Sequence, residues 1–109
     1  MKNKIIHLFD FQKMVFALCA QIPEGSVSTY SEIARAMGKP KACRAVGNAL
    51  NKNRSSKVPC HRVVKRNGSV GGFAHGTGKK MALLSDEGIE IKQGKILNFA
   101  SVLKRSFET

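Results

Sequence analysis

Two adjacent helical patterns joined by a short turn constrain the fold of this chain most strongly. The first runs from Ser28, a candidate N-cap, to Gly38, a candidate C-cap. The second, over 42–53, is basic and dominated by small side chains, namely Ala42, Cys43, Ala45, Gly47 and Ala49. A helix, a brief turn and a second basic helix form the helix-turn-helix pattern. The small residues allow two interpretations: tight packing within the domain, or close approach of this helix to a partner.

A further core helix is predicted before this pair. Apolar residues recur at helical spacing from Phe11 to Ile22, and Asp10 is a candidate N-cap. The Pro-Glu-Gly sequence at 23–25 ends the pattern. Cys19 lies on its apolar side, so we interpret this thiol as a packing residue.

The C-terminal half predicts short elements around a loop. Residues 54–79 lose helical periodicity and indicate a loop or wing that includes a β-suited stretch at 58–64. A helix is predicted over 79–88, then a small hairpin over 89–99, and the tail adds a last helical turn. We therefore expect a mostly α fold with a small β hairpin or wing, a winged helix-turn-helix-like single domain over 1–109.

Positive charge is concentrated in one part of the chain. The net charge is +12, and between Arg35 and Arg66 stand ten Lys or Arg residues and no Asp or Glu. A solvated basic face, an anionic membrane surface and a nucleic acid are the possible explanations. No apolar run is long enough to span a bilayer and no basic amphipathic helix carries aromatic anchors, so nucleic acid is favoured over membrane. The start lacks the features of a secretory signal, and we expect a cytoplasmic protein.

Cysteine and histidine spacing argues against structural cross-links. The three cysteines form no C-x-x-C pair, and their odd number does not suit a disulfide framework. The three histidines show none of the ligand spacings of a structural zinc site. We expect reduced thiols and no metal.

The sequence Val58-Pro59-Cys60-His61-Arg62 places a nucleophile beside a proton carrier and a cation. A reactive cysteine needs a base or a cationic environment that favours its thiolate. Adjacent residues of a strand point to opposite faces, so His61 can assist Cys60 only where the backbone turns or a water joins them. A buried thiol beside a hydrogen-bonded histidine is the alternative interpretation.

These features together resemble a known family. The stretches SVSTYSEIA, PKACRAVGNAL, VPCHRVV, GSVGGF and LLSDEG occur in this order between about Phe11 and about Phe99. In this they resemble the C-terminal, active-site domain of the O6-alkylguanine-DNA alkyltransferases. The usual N-terminal α/β domain of that family has no counterpart in this sequence, and we expect it to be absent.

The resemblance implies a catalytic set. Cys60 matches the cysteine that takes the alkyl group from O6 of guanine and keeps it. His61 matches the histidine that draws the thiol proton through a water, and Glu87 the carboxylate that orients that histidine. Asn53 matches the asparagine that stabilises the turn holding the cysteine, although Arg54 stands where the family usually has proline.

The resemblance also implies a DNA interface and a base pocket. Tyr30 matches the tyrosine that reaches N3 of the flipped guanine, and Arg44 the finger that fills the gap left in the duplex. The small-residue helix would enter the minor groove through Ala42, Ala45, Gly47 and Asn48. The base pocket would be formed by Val63, Gly72, Phe73 and Ala74, with the Ala74 N–H on O6.

The expected partner is therefore double-stranded DNA containing O6-alkylguanine, bound by a monomer, and no cofactor is implied because the DNA donates the alkyl group. Two other functions stay open. Small alkyltransferase-like proteins bind alkylated guanine without repairing it and typically carry tryptophan at the cysteine position, whereas this chain has none. A winged-helix transcription regulator would prefer a defined sequence to a damaged base.

Overall fold

Three helices near the N-terminus and a smaller β-containing half enclose two apolar cores. The computed structural model describes residues 4–73 and 75–108, with side chains from Asp10 onward. The elements are α1 (Lys4–Cys19), β1 (Ser28–Thr29), α2 (Tyr30–Ala36), α3 (Cys43–Asn51), a 3₁₀ turn (Cys60–Arg62), β2 (Val63–Val64), α4 (Thr77–Asp86), β3 (Ile91–Lys92), β4 (Lys95–Ile96) and α5 (Phe99–Val102). The expected class, mostly α with a small β hairpin, is confirmed.

The first core lies between α1, α2 and α3. In α3 the buried residues Val46, Ala49 and Leu50 recur at helical spacing, so one face packs inward while the other stays free. The other buried members of this core are Val15, Leu18, Cys19, Ile22, Ile33, Ala34 and Val63. Cys19 is fully buried, and the prediction that it packs in the core is confirmed.

Both predicted N-caps are wrong. Helix α1 begins at Lys4, so Asp10 lies inside it. Residues 4–9 contain no Pro or Gly that would break a helix, so the helix extends on the N-terminal side of the predicted apolar stripe. Helix α2 is capped by Thr29, whose hydroxyl oxygen accepts from the Glu32 N–H at 3.0 Å. Ser28 instead lies in β1.

Gly38, the predicted C-cap of α2, lies one residue beyond the observed cap. The C-cap of α2 is Met37, and Gly38 follows with φ +75°, a left-handed conformation that favours glycine. The Gly38 N–H donates to Arg35 O at 2.9 Å and the Lys39 N–H to Ala34 O at 2.9 Å. Helix α3 then begins at Cys43, which completes the predicted helix-turn-helix pair.

Strand β2 separates the two cores. It pairs in parallel with β1, Ser28 opposite Val63 and Thr29 opposite Val64. Val63 faces the helical core, while Val64 faces a second core that also contains Val27, Val70, Leu84, Ile89 and Ile96. Only 63–64 of the β-suited stretch 58–64 form a strand. The pairing places the start of α2 beside the 3₁₀ turn.

The C-terminal elements cover the second core. Strands β3 and β4 form an antiparallel hairpin around Gln93 and Gly94, both at positive φ, as the Gln-Gly turn predicted. Helix α4 begins at Thr77, two residues before its predicted start, and α5 supplies the expected last helical turn from Phe99. Within the described ranges, no helix has the length and hydropathy needed to cross a bilayer.

Candidate active site around Cys60

Cys60 lies on a tight backbone turn. The Cys60 N–H donates to Val58 O at 2.8 Å, and the Arg62 N–H donates to Pro59 O at 2.9 Å. The Arg62 bond, together with one from the Val63 N–H to Cys60 O, forms the 3₁₀ turn over Cys60–Arg62, so Cys60 and His61 do not alternate as strand neighbours would. Cys60 is half-buried at the edge of the helical core. The turn on which assistance from His61 depends is therefore present.

Asn53 holds this turn through its side chain. Its Nδ2 donates to Ser55 O and Val58 O, both at 3.0 Å, and lies 3.5 Å from Cys60 Sγ. Its Oδ1 accepts from the Ser55 N–H at 2.9 Å. Asn53 is 6% exposed. One buried amide thus joins the end of α3 to the turn and directs a donor at the cysteine sulfur.

His61 contacts a carboxylate from the end of α4. His61 Nε2 lies 2.9 Å from Oε2 of Glu87, although 26 residues separate them. Burial raises the pKa of Glu87, but hydrogen bonds from Arg62 and His61 outweigh it and hold the pKa below its ordinary value. An ionised Glu87 accepts from Nε2–H, which leaves His61 Nδ1 as the proton acceptor.

Arg62 is a partner of Glu87 to which no sequence pattern assigned a role. Its Nε donates to Oε1 at 2.9 Å and its Nη2 to Oε2 at 2.7 Å, a two-point contact. Its Nη1 donates to Ile22 O at 2.8 Å, which ties the site to the segment after α1. The signal available in the sequence was the position of Arg62 directly after the Cys-His pair.

Tyr30 begins α2 and packs against α3. A Cβ atom added to Gly47 would lie 3.6 Å from the Tyr30 ring, an ordinary van der Waals distance, so the ring packs beside this glycine. Burial raises the pKa of the Tyr30 hydroxyl, and charges on Cys60 and Cys19 raise it further. The hydroxyl therefore keeps its proton near neutral pH.

Lys80 is a second residue that the sequence did not reveal. It is fully buried on α4, and its Nζ donates to Val63 O at 2.7 Å and to Gly72 O at 3.0 Å. Its Nζ also lies 5.8 Å from the centre of the Tyr30 ring. Burial lowers the pKa of Lys80 from about 10.5 to about 8, although a charge on Cys60 would raise it. No pattern in the sequence separates it from exposed lysines such as Lys79.

The thiols differ in environment. Burial and the neighbouring Cys60 raise the pKa of Cys19 to about 12, which keeps that thiol protonated. Cys43 is exposed on α3, and Cys60 is intermediate. Only Cys60 among them has Asn53 and His61 beside it.

Two concave regions contain most of the predicted site residues. A cavity of about 290 Å³ is lined by Asn53, Arg54, Ser55, Ser56, Val58, Pro59, Cys60, His61, Phe73, His75, Lys79 and Leu83. A more open depression of about 500 Å³ is lined by Tyr30, Ser31, Cys43, Arg44, Gly47, Asn48, Asn51, Lys65 and Arg66. Lys80 lines neither region, and its Nζ donates to Val63 O in β2 and to Gly72 O.

The remaining predicted residues lie around these regions. Ala45 is exposed on α3 and lines a smaller groove with Asn48, whereas Ala42 is half-buried against the helical core. Val63 is buried and contributes its carbonyl to Lys80, as does the exposed Gly72. Ala74 lies outside the described residues.

The sequence of the chain is similar to those of known proteins. Residues 10–89 match the family model of the 6-O-methylguanine DNA methyltransferase DNA-binding domain. The chain is 43% identical over 104 residues to a bifunctional methyltransferase/endonuclease of Thermoplasma volcanium, covering 93% of this chain and 32% of that protein. It is 49% identical over 80 residues to a methylated-DNA–protein-cysteine methyltransferase of Methanosarcina acetivorans, covering 72% of this chain and 51% of that protein. The chain thus spans about a third to a half of these relatives.

Solved structures extend the likeness to the fold. S. pombe Atl1, in complex with damaged DNA containing O6-carboxymethylguanine, matches with a TM-score of 0.80 and 32% identity over 97% of this chain and 100% of that chain. Mycobacterium tuberculosis OGT in complex with DNA matches with a TM-score of 0.69 and 43% identity over 72% of this chain and 49% of that chain. The chain belongs to the family of the 6-O-methylguanine DNA methyltransferase DNA-binding domain.

Proposed function

We propose that this chain repairs double-stranded DNA by moving an alkyl group from O6 of guanine to Cys60 in a single turnover. The observation that carries the proposal is the contact of His61 with Glu87 on the turn that holds Cys60 beside a cavity. Nucleophile, base and orienting carboxylate are the three parts that thiol activation needs. The family membership of the chain supports the same reaction.

His61 is the proposed base. Because Glu87 is ionised and accepts from Nε2–H, His61 Nδ1 takes the thiol proton through a water molecule. The imidazolium that forms is stabilised by the same carboxylate. Asn53 Nδ2, at 3.5 Å, stabilises the sulfur as it becomes a thiolate.

The transfer is a displacement at the alkyl carbon. The thiolate forms the S–C bond, the C–O6 bond breaks, and its electron pair stays with guanine. Tyr30 donates a hydrogen bond from its hydroxyl, which stays protonated, to N3 of the leaving base. The product is a thioether, which no group of the site can hydrolyse, so each molecule acts once.

The DNA interface is proposed on the α3 side. Arg44, Ala45 and Asn48 are exposed there, and the depression also carries Lys65 and Arg66. In a chain of net charge +12, these cations would bind phosphates while the small residues enter the minor groove. Arg44 would fill the gap of a guanine that turns out of the stack toward Tyr30.

A non-catalytic lesion-binding protein is the second candidate. It is favoured by the likeness to Atl1, which extends over the whole length of that chain. Against it stands position 60, where this chain has cysteine and no tryptophan occurs anywhere in the sequence. Both candidates require the same DNA interface and differ in the fate of Cys60.

One experiment separates the two. Equimolar protein and a duplex containing O6-methylguanine are mixed, and the intact protein is weighed. Transfer adds one methyl group, which peptide mapping finds on Cys60 and which is lost in Cys60→Ala. Cys43→Ala removes the exposed thiol of α3 but keeps a small side chain at the proposed DNA interface, so it serves as the control and should still be methylated. Tight binding with unchanged protein mass would select the binding protein instead.

A further inference from the structure

Hydrogen-bonded strands join the depression on the α3 side to the β3–β4 hairpin. Lys65, directly after β2, lines the depression, and its N–H donates to Ser69 O at 2.9 Å. Ser69 lies opposite Lys95 of β4 in an antiparallel bridge, and Lys95 lies opposite Lys92 of β3. These four positions form one row across neighbouring strands, and three of them are lysines. We call them the lysine row.

The lysine row faces away from the second apolar core. Successive residues of a strand alternate between its two faces, and residues directly opposite one another share a face. Val64 and Ile96 are buried in the second core, whereas their neighbours Lys65 and Lys95 are exposed, as is Lys92. Because Lys65 lines the depression, the other two lysines continue the surface of the depression toward the hairpin.

Lys92 and Lys95 carry like charges at directly opposite positions of a two-stranded hairpin. Like charges in such positions destabilise a sheet. Alternation places the carboxylate of Glu90 on the same face as Lys92, but the ion pairs found among the described residues include neither lysine and not Glu90. An anion that bound both ammonium groups would relieve their repulsion.

The length of the lysine row fits the backbone of a duplex. Neighbouring strands lie about 4.8 Å apart, so the three steps from Lys65 to Lys92 span about 14 Å. Duplex DNA rises about 3.4 Å per base pair, so a row of this length laid along the duplex covers about four base pairs. Phosphates repeat at every base pair of this distance, and each is a suitable anion for a lysine.

We propose that Lys92 and Lys95 bind backbone phosphates beside the damaged base, so that the β3–β4 hairpin extends the DNA interface beyond α3. The inference rests on the proposed function, which places the duplex at the depression beside Tyr30. Lysines that contact phosphates carry no sequence information, so this surface adds affinity without a preference for any base. The bound phosphates also offset the repulsion between the two ammonium groups.

The salt dependence of binding tests this surface. Fluorescence anisotropy measures the affinity for a long duplex with a central O6-methylguanine at several salt concentrations. Each lost phosphate contact lowers the slope of log affinity against log salt by about 0.9, so Lys92→Gln/Lys95→Gln should lower it by about 1.8. We expect this double variant to bind about tenfold more weakly, as for two lost phosphate contacts, and each single variant about threefold.

Arg105 offers a matched control. It is exposed in the tail, which pairs with β1 through the bridge of Val27 with Leu103, at the edge of the strands opposite to β3. Arg105→Gln removes one positive charge there and should leave the slope unchanged.

Two further comparisons locate the contact and exclude misfolding. Duplexes shortened on the 5′ or the 3′ side of the lesion lack the flanking phosphates on that side, so the effect of the double glutamine variant should disappear on one of them. Lys92→Arg/Lys95→Arg keeps both charges and should keep the wild-type slope, which maintains the test if glutamine disturbs the hairpin. In urea, the double glutamine variant should be at least as stable as the wild type because it lacks the like-charge pair.

An unchanged slope in the double glutamine variant would overturn the inference. An equal loss in Arg105→Gln or in the arginine variant would do so too, because position and charge would then not matter. If the variant's effect persists on both shortened duplexes, the contact does not lie beside the lesion and the inference is wrong. If the wild type binds duplex but Cys60 gains no methyl group, the proposed transfer fails while the slopes still decide this inference. If the wild type binds no duplex, both fail.

Discussion

The ammonium group of Lys80 donates to the carbonyl oxygen of Val63 over 2.7 Å, with no part of the lysine exposed to solvent. A second bond, to Gly72 O, connects the same charge to the glycine-rich loop. Buried lysines are rare unless paired, since removing a charge from water is costly. Here two carbonyls and the ring of Tyr30 surround it, so Lys80 joins β2 to the loop beside the candidate site.

The lowered pKa of Lys80, about 8, gives a stability signal with a definite sign. Between pH 8 and the ordinary lysine value, the unfolded chain binds a proton that the folded chain has released, so stability rises with pH. In this pH range, the free energy of unfolding of the wild type should therefore rise relative to that of Lys80→Met by up to about 1.4 kcal/mol per pH unit. Urea unfolding at several pH values measures the difference.

The comparison with Lys80→Met removes an opposing effect. Cys19, with a pKa raised to about 12, keeps its proton in the folded chain while the unfolded chain loses it, so its contribution falls as pH rises above about 9. Burial, the largest cause of this shift, acts in both proteins, so most of the effect cancels in the difference. Lys79→Met, which alters an exposed neighbour, should show no such gain. A difference in unfolding free energy between wild type and Lys80→Met that does not change with pH would contradict the lowered pKa of Lys80.

Elements that depend on neighbouring residues could be predicted from the sequence, whereas a contact between distant residues could not. The helical periodicity of α1 and α3 and the Gln93-Gly94 turn depend on neighbouring residues, and all three predictions are confirmed. The contact between His61 and Glu87 joins residues 26 positions apart. Only the family resemblance paired them, because no local pattern encodes the packing of α4 against the turn.

The wrong N-cap at Ser28 and the missed role of Lys80 both have their cause in tertiary contacts. Ser28 and Thr29 are both good N-caps, and the choice between them was made by β1, where Ser28 pairs opposite Val63 and donates its hydroxyl to Lys104 O at 2.7 Å. Lys80 was missed because its acceptors are backbone carbonyls, which every residue carries. Tertiary contacts decided both cases, and such contacts leave no periodic trace in a single sequence.

The hydrogen bonds of the Asn53 side-chain amide should stabilise the folded chain. Asn53→Ala removes the donor shared by Ser55 O, Val58 O and Cys60 Sγ, and we expect a loss of about 2 to 4 kcal/mol because each unsatisfied acceptor costs about 1 kcal/mol or more. Chemical denaturation measures it. Asn51→Ala, at an exposed position where the side chain makes no hydrogen bond found in the structure, should change stability by less than about 0.5 kcal/mol. Equal effects of the two changes would refute the role of the Asn53 amide.

The Glu87→Gln variant tests whether His61, oriented by Glu87, is the base that takes the thiol proton. The amide cannot stabilise an imidazolium and leaves Arg62 without its anion, so we expect transfer to Cys60 to slow by about a hundredfold or more. Single-turnover kinetics on an O6-methylguanine duplex measures the rate. Glu90→Gln removes an exposed carboxylate two residues beyond Gly88 and serves as the control. A Glu87→Gln rate within twofold of wild type would exclude His61 oriented by Glu87 as the base.

The same variant carries a prediction at acid pH. The pKa of Glu87 lies below its ordinary value, so its ionised form stabilises the folded chain above that value, and the stabilisation is lost as pH falls through the lowered pKa. The stability gap between wild type and Glu87→Gln should therefore narrow below about pH 4. Thermal unfolding from pH 7 to pH 3 measures it. A gap that widens toward low pH would contradict the lowered pKa.

An Arg44→Ala variant distinguishes a lesion-recognising repair protein from a sequence-specific transcription regulator. It is exposed on α3 and lines the depression beside Tyr30, where a finger would replace an extruded base. Arg44→Ala should reduce the preference for an O6-methylguanine duplex over an undamaged one by about tenfold, while the affinity for undamaged duplex falls by about threefold or less, as for one lost phosphate contact. Fluorescence anisotropy at fixed salt measures both affinities. Arg35→Ala removes an exposed arginine of α2 outside the depression and should leave the preference unchanged. If Arg44→Ala weakened binding equally to damaged and undamaged duplexes but abolished a preference for one base sequence, a transcription regulator would explain the chain better than a repair protein.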